Sequence, residues 1–153
     1  MHRLVVLKAI ARGVRDGRLT AGDCRLLLCV GLVQAFALAG VAYAPVPAVR
    51  KTLARFRRLA IALSGAAPEP HVIWAIDASA RYAHSTCLAR ALAAELLLPL
   101  VDRPLTVIVG VTSAGVGQLK SHAWIERDGC VLIGGAASRR EYLPLIAWTG
   151  RTA

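Results

Sequence analysis

Aromatic side chains are scarce: 3 Trp, 3 Tyr and 2 Phe make up 5% of 153 residues. Ala and Leu take their place, so a core of helices with modest side chains is expected. Charged residues are 18% against 56% apolar ones, which excludes a disordered chain. The length fits one domain with a small appendage. Acidic residues are also few, 9 Asp and Glu against 19 Lys and Arg, for a formal net charge of +10. The basic residues are not interleaved with aromatics, so the stacking platform of a single-strand binder is missing. Zinc-finger and RNA-recognition signatures are absent too, and nucleic acid is not an expected partner.

None of the four cysteines, Cys24, Cys29, Cys87 and Cys130, belongs to a CxxC pair. Cys24 and Cys29 stand in an apolar stretch and Cys130 in a strand-like one, where small core residues are expected. Cys87, His84 and His122 do not form a metal-ligand spacing. Neither a metal nor a cofactor is expected. The first twenty-three residues are charged and polar, without the pattern of a signal peptide. A reducing cytoplasm with free thiols is the expected compartment.

The positive charge is uneven. Residues 1–70 hold 11 Lys and Arg against 3 acids, and residues 71–153 hold 8 against 6. The helical spacing of Leu4, Leu7, Ile10, Ala11 and Val14 predicts a basic helix over Met1–Arg18. From Leu26 to Val46, twenty-one residues, the one strongly polar residue is Gln34. That is long enough to cross a bilayer, and a buried helix reads the same way. Val49–Leu63 predicts an amphipathic basic helix, with Leu53, Phe56, Leu59, Ala60 and Leu63 on one face. Such a helix suits an anionic membrane surface or an ordinary solvated face. Ser64–Pro70 is a linker by composition. It divides an N-terminal helical region, 1–64, from a catalytic domain, 71–153.

Beyond the linker the expected order is helix His71–Tyr82, turn Ala83–Thr86 and helix Cys87–Leu98. Strands follow at Leu105–Val111, Lys120–Glu126 and Cys130–Ile133, the last two joined by an Asp128-Gly129 hairpin turn. A thiol at a helix start meets unpaired N–H groups and partial positive charge, which favour the thiolate. A histidine on a neighbouring strand can take its proton and return it to a leaving amine. Cys87 as nucleophile and His122 as base are therefore the candidate catalytic pair. Strand alternation puts His122, Trp124 and Glu126 on one face, so Trp124 could wall the cleft, with His84 beside it.

Four stretches carry a resemblance: Trp74-Ala75-Ile76, Thr86-Cys87-Leu88-Ala89-Arg90-Ala91-Leu92, Val107-Ile108-Val109-Gly110-Val111, and Ser121-His122-Ala123-Trp124-Ile125-Glu126 with Asp128-Gly129. In this order and spacing the chain resembles the B2 leader peptidases of lasso-peptide biosynthesis. The resemblance implies an α+β, transglutaminase-like or papain-like fold, with the cysteine helix on a small antiparallel sheet. It also implies a cysteine peptidase that cuts the leader from a ribosomally made precursor. The expected partners are the precursor leader, a separate leader-binding B1 protein and an ATP-using cyclase. A membrane surface is a further candidate partner.

The chain departs from that family where an acid is expected, roughly a dozen residues after the histidine. Cys130-Val131-Leu132-Ile133-Gly134-Gly135 holds none. Glu126, Asp128, Asp77 and Glu141 are the acids left as candidates, beside a backbone carbonyl or water. Two rival readings stay open: a transglutaminase-like acyl transferase, and a catalytically weak membrane-associated scaffold of the biosynthetic complex.

Overall fold

The computed structural model describes residues 19–65, 67–83, 85–98, 104–115 and 118–150. The expected helix Met1–Arg18 and the candidate cleft residue His84 lie outside them.

The apolar run folds as helix α1, Ala21–Tyr43. Its start is fixed by a capping box: Thr20 Oγ1 accepts from the Asp23 N–H, and the Asp23 carboxylate accepts from the Thr20 N–H at 2.9 Å. It ends before Pro45, which opens α2, Val46–Arg55. Two helices replace the single one expected over Val49–Leu63. The chain breaks at Phe56 (φ −94°, ψ 4°) and resumes as α3, Arg57–Ser64. Anchors on both sides of the break hold it. Arg50 pairs with Glu95, and Arg57 donates to the carbonyls of Leu96 and Leu98. Gly65, at φ 75°, closes α3 in the left-handed conformation that glycine adopts freely.

Helices α4, Glu69–Ala83, and α5, Cys87–Leu97, form an antiparallel pair, tied by the Arg90–Asp77 ion pair. The β-branched segments then build β1 Thr106–Gly115, β2 Gln118–Arg127 and β3 Cys130–Ile133. Asp128 (φ 51°) and Gly129 (φ 77°) form the tight β2–β3 turn that the Asp-Gly pair predicts. A one-turn helix, α6 Ser138–Glu141, leads into β4, Leu143–Thr149. The sheet is antiparallel in the order β3-β2-β1-β4. Strand β4 is thus an edge, and Leu143, Leu145 and Ile146 on it are exposed.

One face of the sheet receives α5. Val107, Ala123, Ile125 and Ile133 join Ala89, Leu92 and Leu96 in a core that continues to Leu26, Val30 and Ala37 of α1. Residues on both sides of the Ser64–Pro70 stretch therefore share one apolar interior. The buried amide nitrogen of Gln34 in α1 donates to Ile76 O and Ser79 Oγ, both at 3.0 Å, while its Oε1 is buried with no partner among the described residues. The other face of the sheet is covered by the chain from Gly134 to Tyr142 and holds the histidine.

Candidate active site

Cys87 is the first residue of α5. Thr86 caps the helix: its Oγ1 accepts from the Ala89 N–H at 3.2 Å, and its carbonyl accepts from Arg90 N at 3.0 Å. The N–H groups of Cys87 and Leu88 have no intrahelical acceptor and point off the helix end. The thiol is half-buried and packs at the edge of the core.

His122 lies on β2 opposite Gly110 of β1. Its Nε2 is 2.9 Å from the carbonyl oxygen of Gly134, twelve residues further on. A carbonyl can only accept, so this bond places the ring proton on Nε2 and leaves the Nδ1 lone pair free to take one. The ring lies 4.9 Å from that of Tyr142 and nearly parallel to that of Trp124, at 6.1 Å. Trp124 is fully buried, and its Nε1–H donates to Glu126 Oε1 at 2.7 Å. Arg139 Nε holds the same carboxylate oxygen at 3.2 Å.

Two glycines make this arrangement possible. At Gly110 a Cβ would lie 2.7 Å from Leu143 O and 2.9 Å from the Trp124 ring. Gly134 has φ 110°, and a Cβ there would lie 2.5 Å from Trp124 Cβ and 3.2 Å from His122 Nε2. Only glycine delivers its carbonyl to the imidazole from this position. Ser138 Oγ donates to the same carbonyl at 2.9 Å and fixes it in place.

The candidate acids are engaged elsewhere. Asp77 pairs with Arg90 and Glu126 with Trp124 and Arg139, while Asp128 occupies the hairpin turn. Glu141 stands on α6 beside an open groove of about 550 Å³, lined also by Val111, Leu119, Arg140, Tyr142 and Leu143. Gly134, Ser138 and Tyr142 escape a reading of the sequence, because a backbone acceptor and its support carry no side-chain signature. The gap of twelve residues after the histidine, where an acid is expected, is the one signal that marks Gly134.

Helix α5 runs in the same direction as β2, so its first turn lies toward the His122 end of the sheet. Arg127, at the far end of β2, meets Glu69 at the start of α4, and Trp148 Nε1 meets Glu95 near the end of α5 at 3.3 Å. Alternation along β2 sends Ala123 and Ile125 to α5 and His122 to the opposite face. No hydrogen bond joins Cys87 and His122 in this structure. Among the described residues no group of three His, Cys, Asp or Glu side chains is placed to hold a metal ion.

A capped helix with a cysteine at its first position, packed on an antiparallel sheet whose strand carries a carbonyl-bound histidine, defines a cysteine–histidine class of α+β protein. The comparison with known families agrees. Residues 27–147 match the Transglutaminase-like superfamily, and the chain belongs to it. That superfamily includes cysteine peptidases and acyltransferases. Neither the curated proteins nor the solved structures give a match.

Proposed function

We propose that the protein is a cysteine peptidase that removes the leader from a lasso-type precursor, acting with a leader-binding B1 protein and a cyclase. The observation that carries this reading is the bond between His122 Nε2 and Gly134 O. It sets the base in the tautomer the reaction needs, at the sequence position where the orienting acid is expected. The lasso-type assignment draws on the Cys87-Leu88-Ala89-Arg90-Ala91-Leu92 and His122-Ala123-Trp124-Ile125-Glu126 motifs.

The chemistry follows from these groups. Nδ1 of His122 takes the proton of the Cys87 thiol, and the thiolate attacks the scissile carbonyl. The Cys87 N–H supplies one donor to the oxyanion. Collapse of the adduct breaks the C–N bond, and His122 gives its proton to the departing amine, which becomes the new N-terminus of the core peptide. Water, deprotonated by the same nitrogen, then hydrolyses the thioester and releases the leader as a carboxylate. The reaction requires Sγ and Nδ1 to come within hydrogen-bond reach when precursor and partner are bound, as catalytic contacts often tighten only in the complex. The groove beside Tyr142, with apolar walls and Arg140 at its rim, suits an apolar and an acidic side chain of the peptide.

Reconstitution with precursor and B1 protein tests the reading. Cys87→Ala and His122→Ala should each abolish cleavage, by about a thousandfold or more. Cutting at the same site by Cys87→Ala would end it. A leader ending in a free carboxylate supports hydrolysis, whereas an amide-linked product supports acyl transfer. The missing Cys87–His122 hydrogen bond favours a second reading, a non-catalytic scaffold of the biosynthetic complex. A thiol-directed activity probe that leaves Cys87 unlabelled in the full complex would support it.

A further inference from the structure

Helix α1 is long and apolar enough to cross a membrane, but its packing argues against spanning. Leu26, Cys29, Val30, Gln34 and Ala37 are buried against the rest of the domain. To span, α1 would have to abandon that core and the hydrogen bonds of Gln34 to Ile76 O and Ser79 Oγ. The opposite side of α1 is bare. Leu28, Leu32 and Phe36 recur every fourth residue and are exposed, Leu32 by 62%. At about 100° of rotation per residue they fall within about 80° of one another.

A second apolar stripe lies beside the first. Phe56, at the break before α3, and Leu59 and Leu63 on α3 are exposed by 49–56%. Cys29 Sγ donates to Ala60 O at 3.4 Å, and the Arg25 guanidinium lies over Gly65. Helices α1 and α3 therefore run antiparallel along a seam at Cys29 and Ala60. On each helix the exposed stripe precedes the seam residue in helical rotation, and the buried positions follow it. For an antiparallel pair this puts both stripes on the same side of the seam, away from the core. The result is one continuous apolar surface.

Cations are concentrated in the same segment. From Ala21 to Ser64 the sequence has six Lys and Arg and one acid, Asp23. Arg50 is paired with Glu95, and Arg57 is bound to the carbonyls of Leu96 and Leu98. Arg25, Lys51, Arg55 and Arg58 are exposed and form no ion pair among the described residues. Tyr43, 92% exposed, stands at the end of α1 with an apolar body and a polar tip.

We infer that this surface docks on an anionic lipid bilayer, with α1 and α3 lying in the plane of the interface and not across it. The apolar stripes enter the boundary between headgroups and acyl chains, and the flanking cations meet lipid phosphates. A patch of this kind seldom stays bare on a water-soluble chain. The excess of cations in the segment that carries it, four of them unpaired among the described residues, selects a negatively charged occupant. The inference stands apart from the peptidase reading, since neither Cys87 nor His122 takes part.

Flotation of the full-length protein with vesicles tests it. The protein should float with vesicles of equal parts phosphatidylcholine and phosphatidylglycerol, and not with phosphatidylcholine alone. Raising the salt from about 0.05 to about 0.5 M should release it, because screening weakens the cation–phosphate term. The double variant Leu32→Glu, Phe36→Glu should lose flotation while its far-ultraviolet circular dichroism and its cleavage of a soluble precursor stay unchanged. Arg55→Ala with Arg58→Ala should lower partitioning by about tenfold or more. Failure to float on anionic vesicles would overturn the inference, as would flotation indifferent to the double glutamate change. Salt-resistant binding with α1 shielded from protease would show a spanning helix instead. Self-association that the double variant abolishes, without flotation, would assign the surface to a second copy of the chain. Loss of cleavage with flotation intact would count against the peptidase reading alone.

Discussion

On the peptidase reading, Gly134 stands where an acid is expected and offers His122 a neutral acceptor instead. Its carbonyl orients His122 and fixes the tautomer, yet offers an imidazolium less stabilisation than a full negative charge would. On the same reading, the protein alone should be slow, and a proposed partner that completes the site should raise the rate. Replacing the glycine removes the acceptor and strains the chain at once. Gly134→Ala should destabilise by about 2 kcal/mol or more, from the left-handed φ and the clash with Trp124, and should lower cleavage in step. Thermal unfolding and single-turnover cleavage read the two effects. Gly134→Asp should fail to restore an acid to the site for the same steric reason. Much of this was hidden in the sequence. Cys87, His122 and the empty acid position were legible as residue types at a spacing. The substitute was not, because every residue carries a carbonyl and only the fold decides which one faces the ring.

Secondary-structure elements were more legible where local signals agreed. Helix α5 follows from its Thr86 cap and its Ala and Leu content, and β1 from its β-branched run. The β2–β3 turn follows from Asp128-Gly129, a pair that tolerates positive φ at both positions. The break at Phe56 was not legible, since no Gly or Pro marks it and the anchors of Arg50 and Arg57 are long-range. Helix α6 is a single turn, and β4 combines Pro144 with unbroken apolar residues, so neither shows a period. Asp23 sits below its ordinary carboxylate pKa, because the Thr20 backbone N–H and then the Thr20 hydroxyl donate to it. A depressed folded pKa contributes stability above the unfolded value of about 3.9 and loses it as pH falls through the folded one. The start of α1 should therefore fray in acid below that value, and Asp23→Asn should remove the pH dependence. Thr20→Ala should cost about 1 kcal/mol at neutral pH. Hydrogen exchange of the first-turn amides, measured against pH, checks both.

For the whole molecule, one carboxylate ties three parts together. Glu95 on α5 accepts from Arg50 Nε at 3.0 Å and from Trp148 Nε1 at 3.3 Å, so it joins α2, α5 and β4. The Arg50 guanidinium also lies 4.9 Å from the centre of the Trp148 ring. Both charged partners keep partial exposure, so the pair counts for less than a fully buried one. Glu95→Ala should still cost about 1–3 kcal/mol, because it strands the Arg50 charge and the indole N–H. Chemical unfolding followed by circular dichroism and by tryptophan fluorescence should shift by the same amount, since helices and strand lose one shared tie. No local pattern marks this contact, whose members are forty-five and fifty-three residues apart.

The outer border of β4 has a consequence of its own. Leu143–Thr149 carries no charged side chain, and its residues except Trp148 are exposed. Natural proteins usually blunt such a border with lysines or a covering loop. Among the described residues, Pro144 alone interrupts this edge of the sheet. In concentrated solution this edge would zip neighbouring molecules together, ribbon against ribbon, and the ceiling on solubility would be set there.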